Sequence, residues 1–305
     1  MISEEYAYKD VQTYLKDNID VLITGGFYKD ERSTFFDVDW KEWDKTKIQI
    51  CFVEATNYII CKRYEKNICV FEDAGDVTLF LPRFLSALKL QTKNVLVDIT
   101  GLHHVIIMIL SKVLIRQEKP KAFFAAYVRP QRYMGQNEDF SKTLTSKILG
   151  VRAVPGFIKR EKGNQLLYSF VGFEGIRLSN VVENLNGVEK VIPIVAFPVG
   201  SPHWFNIAMW NSRDLLGDTD VDFTIQKCFS ESVFEAVQLL KDIVPKTENI
   251  VLAPLGTRPH SMAAAIFACQ NSNVRLVHDY AIEAENRTEG ISDVIVYHLS
   301  AFVEI

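Results

Sequence analysis

Leu167-Tyr168-Ser169-Phe170-Val171-Gly172-Phe173-Glu174-Gly175-Ile176-Arg177-Leu178-Ser179 is an apolar run that breaks into Gly-Phe, then an acidic residue, an Arg and a Ser. Near the start of the chain the same layout recurs: Val21-Leu22-Ile23-Thr24 runs into Gly25-Gly26-Phe27 and then Asp30-Glu31-Arg32-Ser33. Each copy is followed, some way on, by a second apolar run ending in a polar turn. These are Val95-Leu96-Val97-Asp98-Ile99-Thr100-Gly101 and Ile250-Val251-Leu252-Ala253-Pro254-Leu255-Gly256-Thr257. A short apolar run closed by glycine and followed by a polar helix start is the pattern of a buried strand feeding a helix. Two such pairs predict two diverged copies of one α/β unit, each offering two strand-end loops to a ligand.

Outward from these runs, strands of about six residues alternate with helices of ten or more, which predicts α/β units with doubly wound, mainly parallel sheets. In the first half the pattern gives strand 95–99, helix 102–116 and strand 122–128, preceded by an amphipathic helix over 77–90. Helical spacing of Tyr8, Val11, Tyr14 and Leu15 predicts a helix over 4–19. The runs 48–53, 58–61 and 68–71, with Asn57 and Asn67 between them, predict a β-meander inserted in this half. In the second half, strands at 166–171, 190–197, 249–253 and 274–279 alternate with helices at 174–185, 203–216, 230–244 and 259–270. Gly135, Gly150, Pro155, Gly156 and Gly163 punctuate the stretch between the halves. The division expected is 1–140 for the N-terminal Rossmann-like half, 141–165 for a linker and 166–305 for the C-terminal half, in line with about two domains for this length.

The 305 residues are 48% hydrophobic and 24% charged, with a net charge of −4. That balance builds a full core and gives no electrostatic footprint for direct nucleic-acid binding. A small anion is still within reach of a few Arg and backbone N–H groups. The five cysteines (Cys51, Cys61, Cys69, Cys228, Cys269) form no CxxC pair and read as reduced thiols. The polar, acidic start has no signal-peptide pattern, and the longest apolar stretch is too short for a membrane span. A cytoplasmic protein with no membrane partner is expected. Six scattered histidines without paired ligand spacing argue against a zinc site, and no cofactor is expected.

Ligands of doubly wound sheets sit beyond the carboxyl ends of the strands, where helix N-termini direct N–H groups and positive dipole. The sharpest such turn is Pro254-Leu255-Gly256-Thr257-Arg258-Pro259-His260-Ser261. Gly256 admits close backbone approach, Thr257 suits an N-cap, Pro259 fits the first helical turn, and Arg258 and His260 are suited to an anion. It carries neither GxGxxG nor GxxxxGK[ST]. Gly26, Arg32 and Ser33, with Gly172 and Arg177, mark the two Gly-Phe loops; an Arg at a helix start opposes the dipole unless an anion or carboxylate meets it. The internal alternative is an Arg–Glu pair with Glu31 or Glu174. Asp98, Thr100 and Gly101 form the first-half counterpart, with Asp98 suited to a ribose hydroxyl, a metal, a water or a cap. Ser201-Pro202-His203 lacks a GxSxG elbow, so a hydrolase triad is disfavoured.

The turn Pro254-Leu255-Gly256-Thr257-Arg258-Pro259-His260-Ser261-Met262 resembles the glycine-threonine turn before a helix in CRISPR-associated Rossmann fold (CARF) sensor domains. Related SAVED domains look like two such units fused in one chain. The resemblance implies binding of a cyclic oligonucleotide in anti-phage signalling, with a partner effector switched by the ligand. Gly256, Thr257, Arg258 and Ser261 would then contact the ligand, matched by Thr100 and Gly101. The expected function is a nucleotide-binding sensor or regulatory subunit with its small nucleotide ligand between the halves. The alternatives are a ring-nuclease- or glycosyl-hydrolase-type enzyme, with Asp98, Glu174 or His260 as acid or base, and a structural or interaction subunit.

Overall fold

The computed structural model describes residues 5–8, 18–25, 31–36, 46–52, 68–71, 74–133, 145–159, 163–197, 203–212, 222–246, 249–283 and 288–303. The chain divides into two compact units. The first joins Met1–Asp139 to Ala284–Ile305, and the second is Phe140–Glu283. The end of the chain thus returns to the first unit, where sequence reading had assigned it to the second. The stretch expected as a linker contributes two short strands to the second unit instead.

In the first unit the strands are β1 (Glu5–Tyr8), β2 (Val21–Gly25), β3 (Thr46–Phe52), β4 (Ile68–Phe71), β5 (Asn94–Asp98) and β6 (Ala122–Tyr133). The second unit adds β7 (Thr145–Ile148), β8 (Arg152–Ala153), β9 (Gln165–Val171), β10 (Val188–Ala196), β11 (Asp222–Phe223), β12 (Gln226–Cys228), β13 (Asn249–Pro254), β14 (Val274–His278) and β15 (Ala281–Glu283), and β16 (Thr288–His298) belongs to the first. The helices are α1 (Ala74–Ser86), α2 (His104–Val113), α3 (Gly175–Asn184), α4 (His203–Asn211), α5 (Val233–Ile243), α6 (Arg258–Gln270) and α7 (Leu299–Phe302).

The first sheet runs β4-β3-β2-β5-β6 in parallel, then β16 and β1 antiparallel at the far edge. Numbering the parallel strands by chain order, this is the doubly wound permutation 3-2-1-4-5, which places a topological switch point between β2 and β5. The second sheet runs β12 and β11 beside β10, then β9, β13 and β14 in parallel, closed by antiparallel β8. It has the same permutation, with its switch point between β9 and β13. A small antiparallel pair, β15 with β7, completes the second unit.

Two local expectations fail. Glu5–Tyr8 is a strand paired with Tyr297–Val294, not the start of a helix over 4–19; residues 9–17 lie outside the described ones. Tyrosines at 6 and 8 favour an extended edge once β16 offers a ladder, and tertiary pairing overrides weak helical spacing. The meander is also overturned: β3 and β4 are direct parallel neighbours, so they are not the outer strands of an antiparallel three-strand run. The middle run, 58–61, lies outside the described residues.

Burial explains the strand sequences. Strands covered on both faces read as continuous apolar runs. Val21–Gly25 is buried throughout, as are Val95–Asp98 and Ile250–Pro254. On one face of the first sheet Leu22, Leu96, Phe124, Val128, Val294 and Val296 pack with Ile19 and Phe36. In the second unit Leu167, Val171, Val191, Val195, Val251 and Ala253 meet Leu178 and Val181 of α3. No described helix is long and apolar enough to cross a membrane.

Candidate functional site

In each unit the first and fourth parallel strands end in glycine-bearing loops that touch backbone to backbone. A Cβ placed on Gly25, at the end of β2, would stand 2.1 Å from Gly101 O and 2.9 Å from Leu102 N. A Cβ on Gly172, after β9, would stand 3.0 Å from Leu255 O and 3.8 Å from Gly256 Cα. Only a residue without a side chain permits the first approach; the second is tight, but a shift of a few tenths of an ångström would relieve it. Gly25 and Gly172, and likewise Gly101 and Gly256, hold equivalent places in the two units. Gly26 lies outside the described residues.

The arginines of the two loops also match. In the first unit Arg32, 2% exposed, sends Nη1 across to Val128 O on the fifth strand, β6, at 3.2 Å. In the second, Arg177 Nε and Nη2 donate to Asp279 Oδ2 and Oδ1 at 2.6 Å each, just past the fifth strand, β14. Arg177 Nη1 also reaches Leu255 O at 3.2 Å. Arg32 thus ties the segment after the first strand to the middle of the fifth, and Arg177, in the first turn of α3, ties the helix start to the residue just past the fifth. Sequence reading offered Glu174 or Glu31 as the internal partner. For Arg177 the carboxylate is Asp279, distant in sequence and preceded by an unremarkable strand. Burial alone would raise the Asp279 carboxyl's pKa; the Arg177 hydrogen bonds and charge, with the neighbouring His278, outweigh it and hold it below the usual carboxylate range.

The turn before α6 is built as a cap. Thr257 Oγ1 accepts from His260 N and donates to Ser230 O, and Pro259 lies in the first turn, as expected from sequence. His260 supplies the reciprocal half, its Nδ1 accepting from Thr257 N at 3.4 Å, a place usually held by Glu or Gln. With Nδ1 an acceptor, Nε2 carries the proton and donates to Phe229 O at 3.1 Å. The ring stacks on Phe170 at 4.4 Å between centroids and is fully buried. Burial depresses its pKa to about 4, partly countered by the Phe229 carbonyl, so it is neutral at physiological pH. Both nitrogens are engaged inside the protein, which is the geometry of a pin and not of a proton shuttle. Ser261 is buried and donates its N–H to Thr257 O; Arg258 is 8% exposed.

The remaining expected residues fall into place around these loops. Asp98 is buried and accepts from Thr100 N at 2.9 Å, while Thr100 Oγ1 accepts from Val128 N at 2.9 Å. Ser33 is buried with its Cβ 3.5 Å from the Cβ position of Gly101. The cap of α2 comes from His103, whose Nδ1 accepts from Val105 N. Glu174 precedes α3 and accepts from Thr145 N and Thr145 Oγ1. Gly101, Gly172, Phe173, Gly256 and Thr257 are half-exposed and form the accessible rim of the two switch points.

Sequence reading missed three features. Thr24 is 2% exposed, and its hydroxyl has no hydrogen-bond partner among the described residues. Asp279 was hidden by its distance from Arg177. At the end of β10, Phe197 is 43% exposed and meets Phe205 edge-on, with Lys227 Nζ 4.7 Å and 5.1 Å from the two ring centres. The continuous apolar run of β10 carries no sign of that cluster. Among the described residues no group of three or more His, Cys, Asp or Glu side chains is placed to hold a metal ion. No protein-family model matches this chain, and no curated protein matches it.

Proposed function

We propose that the protein is a nucleotide-binding sensor or regulatory subunit whose ligand is met by the strand-end loops at the switch points of its α/β units. One observation supports this above the others: both units use the permutation 3-2-1-4-5, and both place glycine-bearing loops at the position where folds of this class bind nucleotides. The half-exposed backbone at Gly172–Phe173 and Gly256–Thr257, with Gly101 in the first unit, would meet phosphate or base. Arg32 and Arg177 act here as braces that hold the loops, so a ligand would find the rim already shaped.

The resemblance of the Gly256–Thr257 turn to CARF and SAVED sensors extends this to a cyclic oligonucleotide ligand, a cytoplasmic setting, a separate effector protein and an anti-phage defence role. Neither His260 nor Asp98 is placed as an acid or base, because both are buried and both His260 ring nitrogens are engaged inside the protein. Calorimetry of the intact protein against a panel of cyclic and linear nucleotides tests the proposal. Saturable binding of at least one is expected; folded protein that binds none would sink it.

A further inference from the structure

We propose that Glu174 is a ligand-controlled latch on the small sheet of β7 and β15. The proposal rests on the nucleotide-binding reading and names how binding at that site is regulated. Glu174 follows Gly172–Phe173 of the rim and stands at the N-cap of α3, yet its side chain accepts from no amide of that helix. It turns instead to β7, accepting from Thr145 N at 2.9 Å and from the Thr145 hydroxyl. Thr145 is where β7 begins, and its register partner Glu283 is where β15 ends. The register shifts between Ile282 and Glu283, as at a β-bulge, a feature that re-aims side chains and ends pairing. The chain passes from the first unit to the second shortly before Thr145, and back again directly after Glu283. One carboxylate beside the rim thus holds the sheet end that leads to both passages.

The opposite end of the sheet is held under strain. Arg177 fixes Asp279, and the next residue, Tyr280, leads into β15 with a φ of +43°. A left-handed backbone is costly for a bulky aromatic residue. It persists because the Tyr280 ring is buried under the Arg152 guanidinium, 5.0 Å from its centroid, and Tyr280 O accepts from Leu149 N. A half-buried hold at one end and strain at the other give the sheet a held and a released state. An anion bound at Gly172–Phe173 is favoured by the α3 N-terminus and lies beside the Glu174 carboxylate. Like charges in a partly desolvated rim repel, so the bound anion favours the state in which Glu174 has let Thr145 go. Coupling is reciprocal: a change that loosens the latch must tighten the ligand by the same factor.

Hydrogen exchange and calorimetry on the full chain test this with the panel of cyclic and linear nucleotides, for native protein, Thr145→Val and Glu174→Gln. Circular dichroism checks that the variants fold. Without ligand, both variants should exchange about tenfold faster than native protein in peptides spanning 145–149 and 280–283, the scale of one hydrogen bond to a charged group. In native protein, a saturating nucleotide should speed exchange in those peptides while slowing it at Gly172–Phe173. Thr145→Val changes no residue of the rim, yet it should bind that nucleotide about tenfold more tightly, which loss of a purely structural contact would not do. Three results would overturn the latch and leave the nucleotide-binding reading intact: exchange in β7 and β15 indifferent to both substitutions, a bound nucleotide that leaves that exchange unchanged or slows it, or Thr145→Val binding no tighter than native protein. Native protein that binds no nucleotide of the panel removes both.

Discussion

Arg177 grips Asp279 with two parallel hydrogen bonds of 2.6 Å, and the carboxylate it holds is wholly buried. The Arg177 side chain is 11% exposed, so the pair is a largely buried fork bracing the start of α3 against the end of β14. Leu255 O, on the loop after β13, takes a third N–H of the same side chain. Three strand ends of the second unit are thus tied through one residue.

Breaking such a pair leaves a buried charge without its counter-ion, which costs about 3–5 kcal/mol. Arg177→Met should lower unfolding free energy by that order in urea titrations. Replacing both partners, as in Arg177→Met with Asp279→Leu, should recover most of the loss, because an apolar pair needs no counter-charge. A single variant as stable as the native protein would show that the pair braces nothing.

The pH dependence of stability carries a second signature, from His260. Its folded pKa of about 4 lies below the ordinary value of 6.5, so the folded state favours the neutral ring. Between those values the unfolded chain binds a proton that the folded chain does not, so stability rises with pH. The contribution is complete above about pH 6.5 and fades as pH falls toward about 4, by on the order of 3 kcal/mol. His260→Gln should flatten that limb of a stability–pH curve measured by denaturant. Asp279 acts lower on the scale: its pKa is depressed, so its contribution is present above the unfolded value of about 3.9 and is lost as pH falls through the folded one.

The loop contact in the first unit is steric, and it should fail sterically. A methyl on Gly25 would collide with the Gly101 carbonyl, a backbone group that cannot swing aside as a side chain would. Gly25→Ala is expected to destabilise by about 2 kcal/mol or more, in the range of overpacked cores. Gly101→Ala makes the comparison: its Cβ would meet Ser33 Cβ at 3.5 Å, an ordinary contact, and its backbone is not left-handed. Equal melting temperatures for the two variants would argue against the close approach.

Much of this architecture is legible in the sequence, and the reasons for the rest are physical. The Thr257–Pro259 start of α6 announces itself because capping and N-terminal proline are local chemistry. The paired Gly-Phe loops point to equivalent strand ends because glycine is demanded where backbones touch. Arg177 was visible as an anomaly at a helix start, yet its partner Asp279 was not, since long-range pairing leaves no local trace. Parallel pairing of β3 with β4 was misread as a meander for the same reason: strand direction is settled by crossovers. His260 looked like an anion ligand or a base by residue type, and only its buried stacking on Phe170 gives it a structural place.

Amide hydrogen exchange on the intact protein, with and without a millimolar mix of cyclic and linear adenine and guanine nucleotides, tests the central proposal most directly. The account predicts slowed exchange in peptides spanning Gly172–Phe173 and Gly256–Thr257 at the second unit's switch point, with Gly101–His103 as the first-unit counterpart. Unchanged exchange throughout, or protection confined to surfaces away from those strand ends, would contradict it.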